Sequence, residues 1–343
     1  MNSSGRAPYL QRLQSYMDRV GLQGLASPGD IKVRGLKLHE KQGLSNRTYL
    51  LNIDIKDRSA EPLILRLYTG GGKAAREFML LKLLRSKGLP VPRVYAFEDS
   101  NRILDKPFII MEKVEQTSPE DGQRLVEEAA RSLAEIHGVK SVELRGILES
   151  RGDYPRRELE GIKLLAAALI FSTVGPPASI IRCLRYVGPL DAKLSEGRAF
   201  LIHGDYNFDN IIYSNGRAYI IDWESAEIAE PTFDVAYACN FLDFGERLEG
   251  RAEGEFSGRF LEAYLRYGGT IKELGLYRRL AALKVLLLLD VLRSRNLFSL
   301  LLGLRARFGG PEATHLIEAF RRYLFEVLEG TSSSRASLVA PKG

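Results

Sequence analysis

The chain has 343 residues, 45% of them hydrophobic, which exceeds one average domain and suffices for two units with cores of their own. Its formal charge of +6 arises from 49 basic residues interspersed with 43 acidic ones and no long basic block, which argues against a nucleic-acid binder and leaves mild attraction for an anionic nucleotide. The two cysteines, Cys183 and Cys239, stand far apart without metal-ligand spacing, so neither a disulfide framework nor a zinc site is indicated and a reducing, cytoplasmic setting fits.

The opening M-N-S-S-G-R-A-P lacks an apolar signal core, which argues against secretion. Residues 8–22 carry Leu10, Leu13, Met17 and Val20 at near-helical spacing, predicting a helix packed on the first lobe and ended by Ser27-Pro28-Gly29-Asp30. From Ile31 the period becomes strand-like. Residues 37–40 and 48–55 read as a strand pair whose connecting loop holds Gly43, Ser45 and Asn46. Glycine gives room there, and Ser45 and Asn46 offer donors to phosphate oxygens, so the loop is a candidate phosphate cover; the plain alternative is an ordinary hairpin. Residues 62–68 form the next strand and carry Arg66, whose guanidinium fork suits phosphate. Gly70-Gly71-Gly72-Lys73 does not complete a P-loop, because Leu67 stands where glycine is required and Ala74 where Ser or Thr is required; it reads as a flexible connection.

Residues 74–87 predict a helix with Phe78, Leu81 and Leu84 on its apolar face, Glu77 in its first turns and Gly88 at the stop position. Pro90-Val91-Pro92 and Phe97 continue the sheet, and residues 107–114 are an apolar strand running into charge where two lobes join. Ser118-Pro119-Glu120-Asp121 caps a helix continued by Leu125, Ala129, Leu133, Ile136 and His137, the last read as a structural histidine. Residues 138–200 and 240–330 are mostly helical patterns. Two long apolar runs read as core helices instead of membrane spans. Residues 164–181 are broken by Gly175-Pro176-Pro177 into a buried helix and a turn, and residues 281–304 are interrupted by Lys284, Asp290, Arg293 and Arg295. Residues 331–343 have too little apolar surface to offset ordering and are expected to be a disordered tail.

The densest chemistry lies in residues 201–237. Asp205 and Asn210 are spaced as in H-G-D-x-x-x-x-N, the spacing that the protein-kinase catalytic loop uses for its base and a magnesium ligand, and Asp222 follows in I-I-D-W-E. Between them Asn215-Gly216 predicts a type I′ hairpin. Pairing Ser214 with Arg217 then sets Asn210 opposite Ile221, which brings Asn210 and Asp222 to about 5 Å of each other as oxygen ligands for Mg²⁺. Asp205 is the free carboxylate near an acceptor hydroxyl, His203 and Gly204 shape the loop, and Asp234 opens the following helix and ties the loop down through its N–H groups. The plain alternative is a surface hairpin with incidental acids.

This stretch resembles the aminoglycoside phosphotransferase and choline kinase family, kinase-like enzymes with an H-G-D-x-x-x-x-N loop followed by I-D-W/F-E/D. The resemblance implies an α+β, bilobal protein-kinase-like fold: a small β-rich N-lobe with one key helix over residues 1–113 and a larger, mostly helical C-lobe over residues 114–330. It implies ATP and Mg²⁺ as cofactors, Asp205 as the catalytic residue, and Asn210 and Asp222 as metal ligands. Gly43, Ser45 and Asn46 match a G-x-S-N element of the family on the nucleotide phosphates. Arg66 stands where protein kinases carry a lysine and would pair with Glu77. By the same resemblance Met111 lines the adenine pocket, and the carbonyl of Glu112 and the N–H of Val114 bond the base.

The function expected is phosphoryl transfer from ATP to the hydroxyl of a small molecule. An atypical protein Ser/Thr kinase is the close rival, opposed by the lack of an A-P-E segment and of a long activation loop after Asp222. A catalytically silent kinase-like scaffold is the lesser one, opposed by Asp205, Asn210 and Asp222 standing together. Neither a nucleic-acid nor a membrane partner is expected. The acceptor is not readable, although Glu224, Glu227, Glu230, Asp234 and Asp243 make the chain after Asp222 acidic and suggest a cationic amino alcohol; these acids capping helices is the equal alternative.

Overall fold

The computed structural model describes residues 6–40, 46–57, 62–119, 121–148, 154–172, 178–194, 198–293 and 311–331. Gly43, Ser45 and nearly all of the expected tail lie outside these residues. The described residues divide into two units, one comprising residues 1–118 with 212–224 and the other residues 119–211 with 225–343.

In the first unit, α1 (Arg6–Val20) precedes an antiparallel sheet of β1 (Ile31–Leu38), β2 (Arg47–Ile55), β3 (Leu63–Leu67), β4 (Val94–Glu98) and β5 (Phe108–Glu112), in the order β1-β2-β3-β5-β4. The helical spacing of α1 turns Leu13, Tyr16 and Met17 onto Leu51, Ile53, Leu63, Leu65, Phe108 and Ile110. Each such side chain, once removed from water, contributes roughly 1.5–3 kcal/mol. Tyr16 anchors the interface twice, edge-on to Phe108 at 5.3 Å and through its hydroxyl on the carbonyl of Phe97 at 2.7 Å.

Strand periodicity decides where Arg66 goes. Leu63 and Leu65 enter the α1 core, so Arg66, one residue on, turns to the opposite face. There it meets α2 (Lys73–Ser86), whose Ala74, Glu77, Phe78, Leu80, Leu81 and Leu84 are buried. The helix stops where expected. Gly88 takes φ 76°, and the N–H of Leu89 returns to the carbonyl of Leu84 at 3.2 Å, a Schellman-type end. The glycine run before α2 is pinned at one point, the N–H of Gly72 on the Asp99 carboxylate at 2.9 and 3.0 Å.

The hairpin β7 (Ile211–Ser214) and β8 (Arg217–Ile220) turns through Asn215 at φ 49° and Gly216 at φ 79°, both left-handed as a type I′ turn requires. It belongs with the sheet unit. Ile220 N–H donates to Pro90 O at 2.8 Å and Thr117 N–H to Tyr213 O at 2.8 Å, which fixes the stem that carries Asp222.

The second unit is helical. α3 (Gly122–His137) starts at Asp121, whose carboxylate accepts from Arg124 N–H at 2.7 Å. α4 (Tyr154–Ser172), α5 (Ala178–Asp191), α6 (Thr232–Leu248), α7 (Glu255–Arg266), α8 (Leu274–Arg293) and α9 (Pro311–Glu329) follow, with β6 (Phe200–Ile202) paired antiparallel to β9 (Glu227–Ala229). α6 is buried on nearly every side and packs against α7 and α8, which makes it the axis of this unit. A polar knot locks it: Arg278 of α8 donates to Asn240 at 2.8 Å, to Asp243 at 2.6 Å and to the Tyr323 hydroxyl of α9 at 2.8 Å.

The helix expected within residues 164–181 is not wholly buried, and the turn expected at residues 175–177 lies outside the described residues. α4 and α5 both draw on this run, with residues 173–177 outside the described set, and α4 is amphipathic: Leu159, Ile162, Ala166 and Leu169 are buried while Leu164 is 72% exposed. Absence of charge is not burial. The i, i+3, i+4 spacing selects the buried face, and Leu164 lies off it. Both cysteines are free and buried. Among the described residues, no helix is long and apolar enough to cross a membrane.

Candidate active site

The sheet unit assembles one charged cluster. Arg66, 7% exposed, donates through Nη1 to Glu77 Oε1 at 3.2 Å and through Nη2 to the carboxylate of Asp222. Glu77, 2% exposed, also accepts from the Tyr68 hydroxyl at 2.8 Å and from the N–H of Trp223 at 3.3 Å. A strand, a helix and the end of a hairpin therefore converge on one guanidinium. Burial acts against its charge, but the carboxylates of Glu77 and Asp222 outweigh that and push the Arg66 pKa up. Burial raises the Glu77 carboxyl, with Arg66 pulling the other way, and burial followed by the Glu77 charge raises the Tyr68 hydroxyl.

Asp222 has φ 67°, a left-handed backbone that aspartate tolerates better than most residues. Next to it, Glu224 accepts from Asn46 Nδ2 at 2.7 Å through its carboxylate and from the Arg76 guanidinium through its carbonyl. Asn46 is 3% exposed, and among the described residues its Oδ1 and the Nε of Arg66 are buried without a partner. The group of Arg66, Glu77 and Asp222 carries one positive and two negative charges, with unsatisfied polar atoms facing inward. Hard carboxylate oxygen suits a divalent cation. Among the described residues no group of three His, Cys, Asp or Glu could hold a metal on its own.

Met111 is buried on β5 and pairs in register with Ile64 and Val94. Glu112 exchanges bonds with Arg93, its N–H to the Arg93 carbonyl at 2.8 Å and its carboxylate from the Arg93 N–H at 2.9 Å; Val114 is half-buried just beyond the strand.

The helical unit holds the H-G-D-x-x-x-x-N segment up to residue 211. Asp234, fully buried in the first turn of α6, accepts from the N–H of His203 at 2.6 Å and of Gly204 at 2.9 Å. Gly204 has φ 79°, and a Cβ there would meet the carbonyl of Ser225 at 2.3 Å, so no other residue fits. Tyr206, fully buried, pins the far side through its hydroxyl on Ala129 O at 2.7 Å. Half-buried Asp205 is thereby presented between two amides: Asn207 Nδ2 on Oδ1 at 3.1 Å and Asn210 Nδ2 on Oδ2 at 3.0 Å. Asn210 also donates to the Asp205 carbonyl at 2.9 Å, so its amide nitrogen is committed to Asp205. Burial, then the charge of Asp205 and a hydrogen bond to it, raises the Tyr237 hydroxyl.

His137 is the structural residue expected, with Nδ1 on the Tyr264 hydroxyl at 2.7 Å and Nε2 on Asp234 at 3.3 Å. Each acid of the run has a partner, although Glu227 stays 41% exposed. Glu224 is held by Asn46, Glu227 pairs with Arg157 at 2.8 Å, Glu230 with Arg198 at 2.9 Å, Asp234 with the loop and Asp243 with Arg278. Counting acids in sequence overlooks partners far away in the chain. The sequence pattern assigned no role to Tyr68, on the same strand face as Arg66, and marked Lys284 only as an interruption of an apolar run. Their signals were the alternation of β3 and the interruption of α8.

A sequence model of the phosphotransferase enzyme family matches residues 40–283. Acyl-CoA dehydrogenase family member 10 of Mus musculus is 28% identical over 250 residues, 66% of this chain but 22% of that protein; the chain thus corresponds to under a quarter of this curated relative. Among solved structures, an amicoumacin kinase in complex with AMP-PNP, Ca²⁺ and Ami superimposes with a TM-score of 0.63 at 14% identity, covering 99% of this chain and 100% of that one. A Plasmodium vivax ethanolamine kinase gives 0.57 at 16% identity, with 89% of each chain covered. The fold is α+β and kinase-like.

Proposed function

The chain belongs to the phosphotransferase enzyme family, and from that premise we propose that it transfers the γ-phosphoryl group of ATP to a hydroxyl of a small molecule. The observation that carries this reading is the Asp205 carboxylate, oriented by Asn207 and Asn210 on a loop whose backbone Asp234 fixes. In the proposed reaction the acceptor oxygen bonds the γ phosphorus, the bond from that phosphorus to the β–γ bridging oxygen breaks, and the hydroxyl proton passes to Asp205. Asn210 and Asp222 are the proposed ligands of Mg²⁺, which when bound supplies charge neutralisation on the phosphate oxygens. Arg66, oriented by Glu77, bonds phosphate through the polar atoms that those carboxylates leave unfilled. Asn46, with Gly43 and Ser45, covers the phosphates, while Met111, the Glu112 carbonyl and the Val114 N–H hold the adenine. The two free cysteines support a reducing, cytoplasmic setting.

The acidic run does not by itself point to a cationic acceptor, because each of its carboxylates already has a partner. Curated relatives carry the name of acyl-CoA dehydrogenases, so hydroxylated acyl thioesters belong in the acceptor panel beside amino alcohols, aminoglycosides and sugars. The test is ADP release from MgATP across that panel, with Asp205→Asn as the control. ADP release that depends on one acceptor class and vanishes in the variant supports the reading; equal release by both proteins overturns it.

A further inference from the structure

Lys284 occupies a position where a lysine needs a reason. Its neighbours on α8, Leu283, Leu286 and Leu287, are fully buried, whereas the Lys284 side chain is 31% exposed and reaches out of the apolar face to polar partners. Its partners are specific. Nζ donates to the carbonyl of Gly204 at 3.3 Å, pairs with Glu158 of α4 at 3.2 Å and lies 5.0 Å from the centre of the Phe233 ring, one residue before Asp234.

The carbonyl it holds is the one that matters for geometry. Gly204 O and Asp205 N belong to one planar peptide, so fixing that oxygen fixes the plane from which Asp205 departs. A glycine at φ 79° is otherwise the loosest joint in the loop. Its N–H is already clamped by Asp234 from the preceding side. Lys284 supplies the second clamp, on the side facing Asp205.

We propose that Lys284, held by Glu158, is a positioning residue of the catalytic loop that sets the direction of Asp205 by fixing the Gly204 carbonyl. The inference rests on the phosphotransferase reading in which Asp205 receives the acceptor proton. Lys284 acts mainly on the chemical step through the loop, whereas nucleotide binding, which draws on the sheet unit apart from Asn210, changes little.

The experiment compares steady-state kinetics of wild type, Lys284→Met, Lys284→Arg, Glu158→Gln and Asp205→Asn on the acceptor turned over best by the wild type. Methionine keeps the length and apolar stem but cannot donate. A misplacement of about 1 Å in an active site costs about 100-fold, so kcat of Lys284→Met is expected to fall about 10- to 100-fold with KM for MgATP nearly unchanged. Lys284→Arg, which retains charge and donors, is expected to recover most of the loss. Glu158→Gln, which frees the ammonium, is expected to lower kcat several-fold, and it carries the test if the methionine variant does not fold. An unchanged kcat in Lys284→Met, equal losses in the Met and Arg variants, or a rise in KM for MgATP without loss of kcat overturns the proposal. Asp205→Asn separates the two levels: full turnover there defeats the role of Asp205 on which the inference rests, whereas its loss together with an undisturbed Lys284→Met defeats only the positioning role.

Discussion

Arg66 on β3 binds Asp222, 156 residues further along the chain, with one terminal nitrogen and Glu77 of α2 with the other. A single buried guanidinium, itself expected to bond phosphate, thus links Glu77 to the residue expected to hold the metal. Removing it leaves two carboxylates uncompensated, at a cost of about 3–5 kcal/mol. Arg66→Ala and Glu77→Ala are therefore expected to be strongly non-additive, since deleting Glu77 relieves part of what deleting Arg66 creates. Urea denaturation and kcat/KM of the two single variants and the double variant decide it, and clean additivity sinks the pairing.

Asp205→Asn is expected to lower kcat by about 10²- to 10⁴-fold while the affinity for MgATP stays near that of the wild type. The carboxylate serves the acceptor proton and is not among the proposed metal ligands. Near-full kcat in the variant would remove Asp205 from the mechanism.

Asp222→Asn and Asn210→Ala are both expected to weaken Mg²⁺-dependent nucleotide binding, the former more because only Asp222 carries charge. Asparagine is the right replacement at 222, since it tolerates the left-handed backbone there and so isolates charge from strain. Calorimetric titration of MgATP into each variant is the measurement. Unchanged affinity in both would place the metal elsewhere.

Gly204→Ala is expected to be destabilising and to abolish turnover together, because the added Cβ would lie 2.3 Å from the Ser225 carbonyl at a φ of 79°. Thermal unfolding and kcat on the same preparation test it; an alanine variant with wild-type Tm and kcat contradicts the packing around this glycine.

Glu230 gives the pH dependence. Burial opposes its charge, but Arg198 through side chain and backbone, with the Thr232 hydroxyl, outweighs burial and lowers its pKa below the usual carboxylate value. A depressed folded pKa contributes stability that is present above the unfolded value, about 4.3, and is lost as pH falls through the folded value. The stability gap between wild type and Glu230→Gln is thus expected to be full at pH 7 and to close below about pH 4. A gap that persists unchanged in acid would mean that the Glu230 charge contributes nothing.

Much of the sheet unit was legible because local signals agreed with tertiary ones. The helical spacing of Leu13 and Met17, the Asn215-Gly216 turn and the Gly88 stop each name a structure that short-range sterics already favour, and each is found. The roles of Gly204 and Asp234 in shaping the loop were legible too, since a glycine before an aspartate and an acid opening a helix have few other uses.

The sequence by itself determined the loop and hairpin residues, because those follow from period, turn chemistry and motif spacing, and its resemblance to the phosphotransferase family implied the kinase-like architecture. Only the tertiary structure decided which charges are engaged. Glu224, Glu227, Glu230, Asp234 and Asp243 look alike in a row, yet most find their partners on distant segments, among them Asn46, Arg157, Arg198 and Arg278. Lys284 likewise reads as a blemish in an apolar helix until the carbonyl of Gly204 arrives beside it from 80 residues away. Side-chain pairing depends on contacts between segments that no local pattern encodes, and burial of a charge makes such a partner obligatory.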